Sequence, residues 1–257
     1  MRLACCQTDI LWENKSANHA KVRSMVSAAN LPKDTLLLLP ELFAVGFSMN
    51  ISEIDDTRSR QTQRFLSELA KEFSIYVCGG VAMSCEGKGR NECAIYNPAG
   101  EEISRYCKMQ PFTLAGEARH YAAGPDVSTY AWKDFTVAPF ICYDLRFPEL
   151  FRVAARRGAQ LITVIANWTN RRDNHWITLL RARAIENQAY VAGVNRIGSD
   201  PSFGYSGNSM IIDPHGEIIV EAGGKEGIIS AEINVEAVNN WRRDFPALND
   251  IRSEFFA

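Results

Sequence analysis

Residues 137–149 of the chain read VAPFICYDLRFPE. The apolar run ends at Cys142, and Pro148, a residue favoured in the first turn of a helix, predicts that a helix begins there. A thiol on a tight turn between strand and helix can act as a nucleophile, because backbone N–H groups of the turn face an incoming oxyanion. A buried, inert cysteine at a strand end is the commoner situation for any single cysteine. The stretch therefore predicts a strand–turn–helix unit and leaves both roles of Cys142 open.

Two other strand-like runs also end at a residue that can take part in catalysis. Four leucines at 36–39 precede Pro40 and Glu41, and the run 103–107 precedes Lys108. Ligands of α/β sheets gather beyond the carboxyl ends of strands. A poorly hydrated glutamate suits a general base, although each of these charges alone is more often an ion-pair partner or a solvated group. A thiol nucleophile needs a base and an oxyanion stabiliser, so the three residues form a coherent set.

Elsewhere, short apolar runs alternate with helical patterns, which is typical of an α/β fold. We predict helices over 16–30, 62–73, 147–157, 175–187 and 235–244, and strands over 2–8, 36–39, 75–83, 135–142, 160–166, 189–195, 210–220 and 227–233. Segment 109–124 has weak periodicity and predicts a functional loop. Because no linker rich in Pro, Gly or Ser occurs, we expect one domain, 1–257, whose C-terminal helix and tail, 234–257, serve oligomer contacts.

A turn signature occurs twice, about half a chain apart. Residues 97–101 read NPAGE and residues 213–217 read DPHGE. In each, Asn or Asp before Pro opens a turn, and Gly supplies a positive φ before the second strand of a hairpin. Turn chemistry alone can produce the repeat, and we favour that interpretation slightly over two structurally similar halves.

Composition excludes several classes of function. The 257 residues carry 28 basic and 30 acidic side chains, a net charge of −2, so the basic face typical of nucleic-acid binding is not expected. No apolar run approaches the length of a membrane span, and the N-terminus has no signal-peptide pattern. Seven cysteines, an odd number without a C-x-x-C pair, and four scattered histidines argue against disulfides and zinc and for a reducing cytoplasm.

The order Glu41, Lys108, Cys142 resembles the nitrilase (carbon–nitrogen hydrolase) superfamily, whose catalytic set is Glu, Lys and Cys at three strand ends. The segments that carry the resemblance are LPELF (39–43), YCK (106–108), CYDLRFPE (142–149), RARAIENQAYV (181–191), GNS (207–209) and DPHGE (213–217). The resemblance spans almost the whole chain. It implies a four-layer α-β-β-α sandwich, a homodimer or higher homo-oligomer, and no metal or organic cofactor.

The resemblance also implies amide hydrolysis through a thioester. Glu41 would take the proton of Cys142, which attacks the amide carbon, while Lys108 and the backbone N–H of Tyr143 stabilise the oxyanion. Lys108 beside Cys142 would also favour the thiolate. Glu117 matches the second glutamate of the family, which helps to position the substrate and the base.

Within the superfamily, PELFAVGF (40–47) and Asn167-Trp168 look most like the bacterial omega-amidase branch. That branch converts 2-oxoglutaramate to 2-oxoglutarate and ammonia, in some bacteria alongside methionine salvage. An anionic substrate needs a cation, and Arg146 can bind a carboxylate through two hydrogen bonds. We also expect Phe47, Asn167 and Trp168 in the pocket, although Trp168 can equally belong to the core.

Several alternatives stay open at this stage. Arg146 can instead pair with Glu149 or Asp144, and Arg171 and Arg172 are other candidate cations. Deaminated-glutathione amidases and N-carbamoyl amide hydrolases share the catalytic set, and their longer substrates would need more room around Phe43, Phe47 and Trp168. A remote alternative is a non-catalytic binding protein, which would not require all three reactive groups.

Overall fold

The computed structural model describes residues 1–252 and 254. Two six-stranded sheets dominate the described chain. The first contains, in spatial order, β14 (Gly227–Glu232), β1 (Arg2–Gln7), β2 (Leu36–Leu38), β3 (Tyr76–Cys85), β4 (Lys88–Tyr96) and β5 (Glu102–Cys107). The second contains β13 (Ile218–Glu221), β12 (Met210–Ile212), β9 (Tyr190–Asn195), β8 (Leu161–Ala166), β7 (Phe135–Ile141) and β6 (Tyr130–Trp132). A small ribbon pairs β10 (Ile197–Ser199) with β11 (Gly204–Ser206).

Helices connect the strands and flank the sheets. The α-helices are α1 (Lys15–Ala29), α2 (Ile51–Ile54), α3 (Gln61–Phe73), α4 (Glu117–His120), α5 (Pro148–Arg156), α6 (Asp173–Asn187) and α7 (Val235–Asp244). Short 3₁₀ turns span Thr113–Ala115, Cys142–Arg146, Asn170–Arg172 and Ala247–Asp250. Among the described residues, no helix is both long enough and apolar enough to cross a membrane.

The first sheet is buried on both faces, as its apolar strands predict. Leu3 and Cys5 of β1 belong to the cluster between the sheets, whereas Ala4 and Cys6 face the layer that contains α1 and α3. The alternation follows from the two-residue period of a strand. Across the two sheets, the rings of Tyr106 and Phe140 lie 5.7 Å apart. The expected four-layer α-β-β-α sandwich is therefore confirmed.

The two sheets have the same strand topology. Each contains three adjacent parallel strands, β1–β2–β3 and β7–β8–β9, extended by an antiparallel hairpin, β4–β5 and β12–β13. The repeated turns lie at the tips of these hairpins, where Asn97 Oδ1 and Asp213 Oδ1 each accept two backbone N–H bonds. The repeat marks equivalent positions in two similar halves, contrary to the interpretation that we favoured.

The predicted elements agree with the structure to within a few residues, with two exceptions. Segment 109–124 is not an irregular loop, because it contains a 3₁₀ turn and α4. The strand predicted over 210–220 is two strands, β12 and β13, around the turn at Asp213. The C-terminal helix is present as α7, and its Arg242 donates to the carbonyls of Ala159 and Asn187. Residues 253 and 255–257 of the predicted tail lie outside the described part, and its role in oligomer contacts stays a prediction.

Candidate active site

Three strands deliver the predicted catalytic residues to one edge of the sandwich. Glu41 follows β2, Cys142 follows β7 directly, and Lys108 follows β5 directly. Because β5 is antiparallel to β4 and β4 is antiparallel to β3, β5 runs in the same direction as β2 and β3. Carboxyl ends of strands that run in one direction lie at the same edge of a sheet, so the fold brings Glu41 and Lys108 together.

The backbone is unusual beside both Glu41 and Cys142. Leu42 has φ of +46° and Cys142 has φ of +47°, in the left-handed region that residues other than Gly rarely adopt. Gly80 of β3 lies under the Glu41 turn, and a Cβ at this position would be 2.1 Å from the Leu42 nitrogen. The close approach of strand and turn therefore requires a glycine at position 80, and it holds Glu41 at the sheet edge.

A buried ion cluster forms at this edge. Lys108 Nζ lies 2.8 Å from Glu41 Oε1 and 2.9 Å from Glu117 Oε2, and both glutamates are fully buried. Burial lowers the pKa of Lys108, but the charges of Glu117 and Glu41 outweigh it and hold this pKa well above its ordinary value. Lys108 is therefore a permanent cation between two glutamates. The structure brings Glu117, on α4, into direct contact with the set.

The Cys142 thiol is protonated in this environment. Burial, followed by the charge of Glu41, raises its pKa well above the ordinary value, and Lys108 offsets only part of this rise. The expectation that Lys108 favours the thiolate agrees with the direction of its effect, but burial and the charge of Glu41 outweigh it. A thiol in this state needs a base to become a nucleophile.

The hydrogen bonds of Glu41 identify the oxygen that can act as that base. Oε1 accepts from both Lys108 Nζ and Asn91 Nδ2, at 2.8 and 2.7 Å. Oε2 accepts from the backbone N–H of Asn167 at 2.8 Å, which leaves one lone pair for the Cys142 thiol. Asn167 also donates from Nδ2 to the Glu41 carbonyl at 2.7 Å, so it holds the base as well as lining the pocket.

Asp144 connects the segment that carries Cys142 to the segment that carries Lys108. Its carboxylate accepts from the N–H of Ile141 at 3.0 Å, the hydroxyl of Tyr106 at 2.8 Å and the N–H of Gln110 at 2.8 Å. Burial raises its pKa to about 7, although Lys108 and these donors act in the opposite direction. With its oxygens engaged in this way, Asp144 is not the ion-pair partner that was one possibility for Arg146.

A pocket opens onto Cys142 and Lys108. Its walls are formed by Phe47, Phe112, Tyr143, Arg146, Asn167, Trp168, Thr169, Arg172 and Phe203. All five predicted substrate-binding residues are in this set, and Trp168 also packs against Trp176. Phe43 is not, because it packs against Phe65 in the outer helix layer. Within residues 1–252 and 254, no group of three or more His, Cys, Asp or Glu side chains could hold a metal ion.

Two arginines in the pocket wall lack an acidic partner. Among the described residues, neither Arg146 nor Arg172 forms an ion pair; Arg146 lies over the Trp168 ring at 4.7 Å and beside His175, and Arg172 lies over Phe112. Burial and the nearby charge of Arg172 lower the pKa of Arg146. An anion placed here would relieve the repulsion between them. Arg171 is exposed and does not line the pocket.

Sequence reasoning missed several residues of the site. Asn91 contacts both glutamates, Asp144 joins the two catalytic segments, and Phe112, Thr169 and Phe203 line the pocket. Asn91 carries no distinctive local signal, because its strand also contains Lys88, Arg90 and Glu92. The others depend on contacts between distant segments.

The fold and the site define a hydrolase. The carbon–nitrogen hydrolase family matches residues 2–243, and the chain belongs to that family. It is 34% identical over 256 residues to 2-oxoglutaramate amidase of Bacillus subtilis, covering 99% of this chain and 98% of that protein. It is 35% identical over 252 residues to omega-amidase YafV of Yersinia enterocolitica, with 97% and 96% coverage.

A solved structure agrees with this assignment. The crystal structure of XC1258 from Xanthomonas campestris, a CN-hydrolase superfamily protein with an arsenic adduct in the active site, superposes with a TM-score of 0.91 at 31% identity. The match covers 98% of this chain and 97% of that chain. The chain is therefore an enzyme, and the alternative of a non-catalytic binding protein is set aside.

Proposed function

We propose that this enzyme hydrolyses the terminal amide of a small 2-oxo dicarboxylic acid monoamide, 2-oxoglutaramate, to 2-oxoglutarate and ammonia. The observation that carries the proposal is the placement of a buried thiol, a lysine and two glutamates beside a pocket whose wall holds Arg146 without a carboxylate partner. The names of the two relatives, an omega-amidase and a 2-oxoglutaramate amidase, support the same substrate class. All seven cysteines are free, which fits action in a reducing cytoplasm.

The first half of the reaction forms a thioester. Cys142 Sγ attacks the amide carbon while Glu41 Oε2, the oxygen with a free lone pair, takes the thiol proton. The oxyanion is stabilised by Lys108 Nζ and by the N–H of Tyr143, which lies in the first turn of the 3₁₀ segment, where N–H groups lack a partner within the helix. The C–N bond then breaks, and Glu41 returns the proton to the leaving nitrogen, which departs as ammonia.

The second half hydrolyses the thioester. Glu41 Oε2 takes a proton from a water molecule that attacks the acyl carbon, and the same donors stabilise the second oxyanion. The C–S bond breaks, the acid leaves, and the proton held by Glu41 returns to Cys142. Glu117 and Asn91 hold Lys108 and Glu41 in place through hydrogen bonds. In this scheme neither Glu117 nor Asn91 transfers a proton.

Arg146 selects the acid end of the substrate. Cys142 and Arg146 are the first and last residues of one 3₁₀ turn, which rises about 2 Å per residue, so their Cα atoms are roughly 8 Å apart along it. Because both residues line the same pocket, a small monoamide whose amide carbon meets Cys142 Sγ can direct its far carboxylate to Arg146. Arg172 is the second cation of the same wall and adds positive charge beside the single carboxylate of the substrate.

We expect ammonia release to be fastest with 2-oxoglutaramate in a panel that also contains 2-oxosuccinamate, glutamine, deaminated glutathione and an N-carbamoyl amine. Values of kcat/KM are measured for each compound. Preference for either oxo acid amide supports the proposal. Preference for deaminated glutathione or the carbamoyl compound would keep the chemistry of Cys142 but overturn the substrate assignment in favour of those two activities.

Replacing Arg146 by Met should raise KM for 2-oxoglutaramate by about 10²-fold, as expected for the loss of a bidentate contact with a carboxylate, and change kcat much less. The measurement is steady-state kinetics at saturating and limiting substrate. Arg171→Met removes an exposed arginine from the same region and should leave both constants near those of the wild type. Equal KM values for the two variants would assign the carboxylate to another group, with Arg172 next in order.

A further inference from the structure

Asn91 of β4 contacts both glutamates with one amide group. Its Nδ2 donates to Glu41 Oε1 at 2.7 Å and to Glu117 Oε1 at 3.0 Å. The side chain is 1% exposed, and its Oδ1 has no hydrogen-bond partner. If the amide were flipped, Oδ1, an acceptor, would face two carboxylates that cannot donate to it. The contacts with the two glutamates therefore require that Nδ2 faces them.

The cluster has one positive and two negative charges. In the described part of the chain, Lys108 is the single cation in contact with Glu41 and Glu117, so the buried set carries a net charge of −1. An uncompensated buried charge is strongly unfavourable, and the usual response is that one group takes up a proton. The two N–H groups of Asn91 lie against the two negative oxygens and favour the ionised form of each, at no cost in additional charge.

We propose that Asn91 is a positioning residue that keeps Glu41 and Glu117 ionised together around a single lysine, and thereby keeps Glu41 able to accept the Cys142 proton. The inference rests on the proposed role of Glu41 as the base. It assigns to Asn91 no contact with the substrate, because Asn91 lies behind Lys108 and outside the pocket wall.

Other titratable groups face the cluster from the elements around it. They are Cys142, Tyr121, Tyr205 and Asp144, with Arg146 and Arg172 in the pocket wall. Burial raises the pKa of Cys142, Tyr121 and Tyr205, so these three are uncharged near neutral pH. Burial raises the pKa of Asp144 to about 7. Its titration contributes equally to the pH profiles of the wild type and the variant, so it does not account for a difference between them.

The test replaces Asn91 by Leu, which has a similar shape and no donor. Without the amide, one carboxylate of the pair takes up a proton, and the fraction of enzyme with an ionised Glu41 falls. The acidic limb of the kcat/KM profile should therefore move to higher pH, by about one to two units for the loss of a hydrogen bond to an ionised group. At pH 7 kcat should fall by roughly 10- to 100-fold, while KM changes by less than about threefold.

Asn187→Leu is the matched control, because Asn187 is also buried with an Oδ1 that has no partner among the described residues, but its Nδ2 donates to the Arg183 carbonyl instead of to a glutamate. Its pH profile should equal that of the wild type. Asn91→Asp keeps the shape and removes the donors; a loss of kcat in this variant too would support the proposal if Asn91→Leu folds poorly. A wild-type kcat for Asn91→Asp, or an unshifted acidic limb for Asn91→Leu, would overturn it.

A second readout separates this inference from the choice of substrate. The rate of Cys142 alkylation by iodoacetamide depends on proton transfer from the thiol and needs no amide substrate. In Asn91→Leu its pH dependence should shift in the same direction as the kinetic profile. If 2-oxoglutaramate is not hydrolysed at all but the alkylation profile shifts, the substrate assignment fails and the role of Asn91 stands. An unshifted alkylation profile overturns the role of Asn91.

Discussion

Cys142→Ala is expected to abolish ammonia release, with a fall in kcat of at least ~10⁴-fold, the order of magnitude for removal of a nucleophile. The protein should still fold, because the change deletes one sulfur atom and Ala meets the φ of +47° at this position no worse than Cys. Binding of 2-oxoglutaramate, measured by calorimetry, should persist since the arginines of the pocket are untouched. In the wild type, mass spectrometry of the acid-quenched reaction should find the acyl group on Cys142.

Cys78→Ala provides the control for this result. Cys78 is a fully buried thiol on β3 that lies in the core between the sheets, so its loss tests the general effect of removing a buried sulfur. Activity per folded molecule should be unchanged in this variant. Hydrolysis by Cys142→Ala at the wild-type rate would contradict the thioester mechanism, and the water activated by Glu41 would then have to attack the amide directly.

The sequence predicted which catalytic residues lie at the carboxyl edge of the sheets better than it predicted the tertiary contacts that position them. Glu41, Lys108 and Cys142 each follow a strand-like run, and the rule that ligands gather at the carboxyl ends of strands places them together without coordinates. In the sequence, the similarity of the two sheets appeared only as two matching turn sequences, because the same strand topology can be built from different apolar side chains. The left-handed backbone at Cys142 could not be predicted, since it depends on tertiary contacts of the turn rather than on local propensity.

The electrostatics of the site also depend on contacts that no local pattern encodes. Sequence reasoning considered the pair Lys108 and Cys142 and expected the lysine to favour a thiolate. The structure surrounds the thiol with buried groups, and burial, followed by the charge of Glu41, outweighs the effect of Lys108 on its pKa. For Arg146, the sequence leaves open the choice between an acidic neighbour and a substrate, whereas in the structure Asp144 accepts from Tyr106 and Gln110 of the segment that carries Lys108.

Lys108→Met is expected to lower kcat by roughly 10²- to 10³-fold, the usual effect of removing an oxyanion donor, with a smaller change in KM. Nζ carries three N–H groups and contacts Glu41 Oε1 and both oxygens of Glu117, so the oxyanion takes one N–H in place of the longer contact with Glu117 Oε1. Steady-state kinetics test this, with Lys133→Met as a control because Lys133 is partly exposed and pairs only with Asp34. A change confined to KM would make Lys108 a substrate-binding residue.

Loss of Lys108 has a second effect that a single variant cannot separate from the first. It leaves Glu41 and Glu117 buried together without a cation, so one of them takes up a proton, and Glu41 is then lost as a base in part of the population. The double variant Lys108→Met, Glu117→Gln removes the negative charge of Glu117 together with the positive charge of Lys108. It should therefore have a higher Tm than Lys108→Met alone. Because the oxyanion donor is still absent, kcat should remain low. Recovery of kcat in the double variant would instead assign Lys108 to charge balance and leave the Tyr143 N–H as the oxyanion donor.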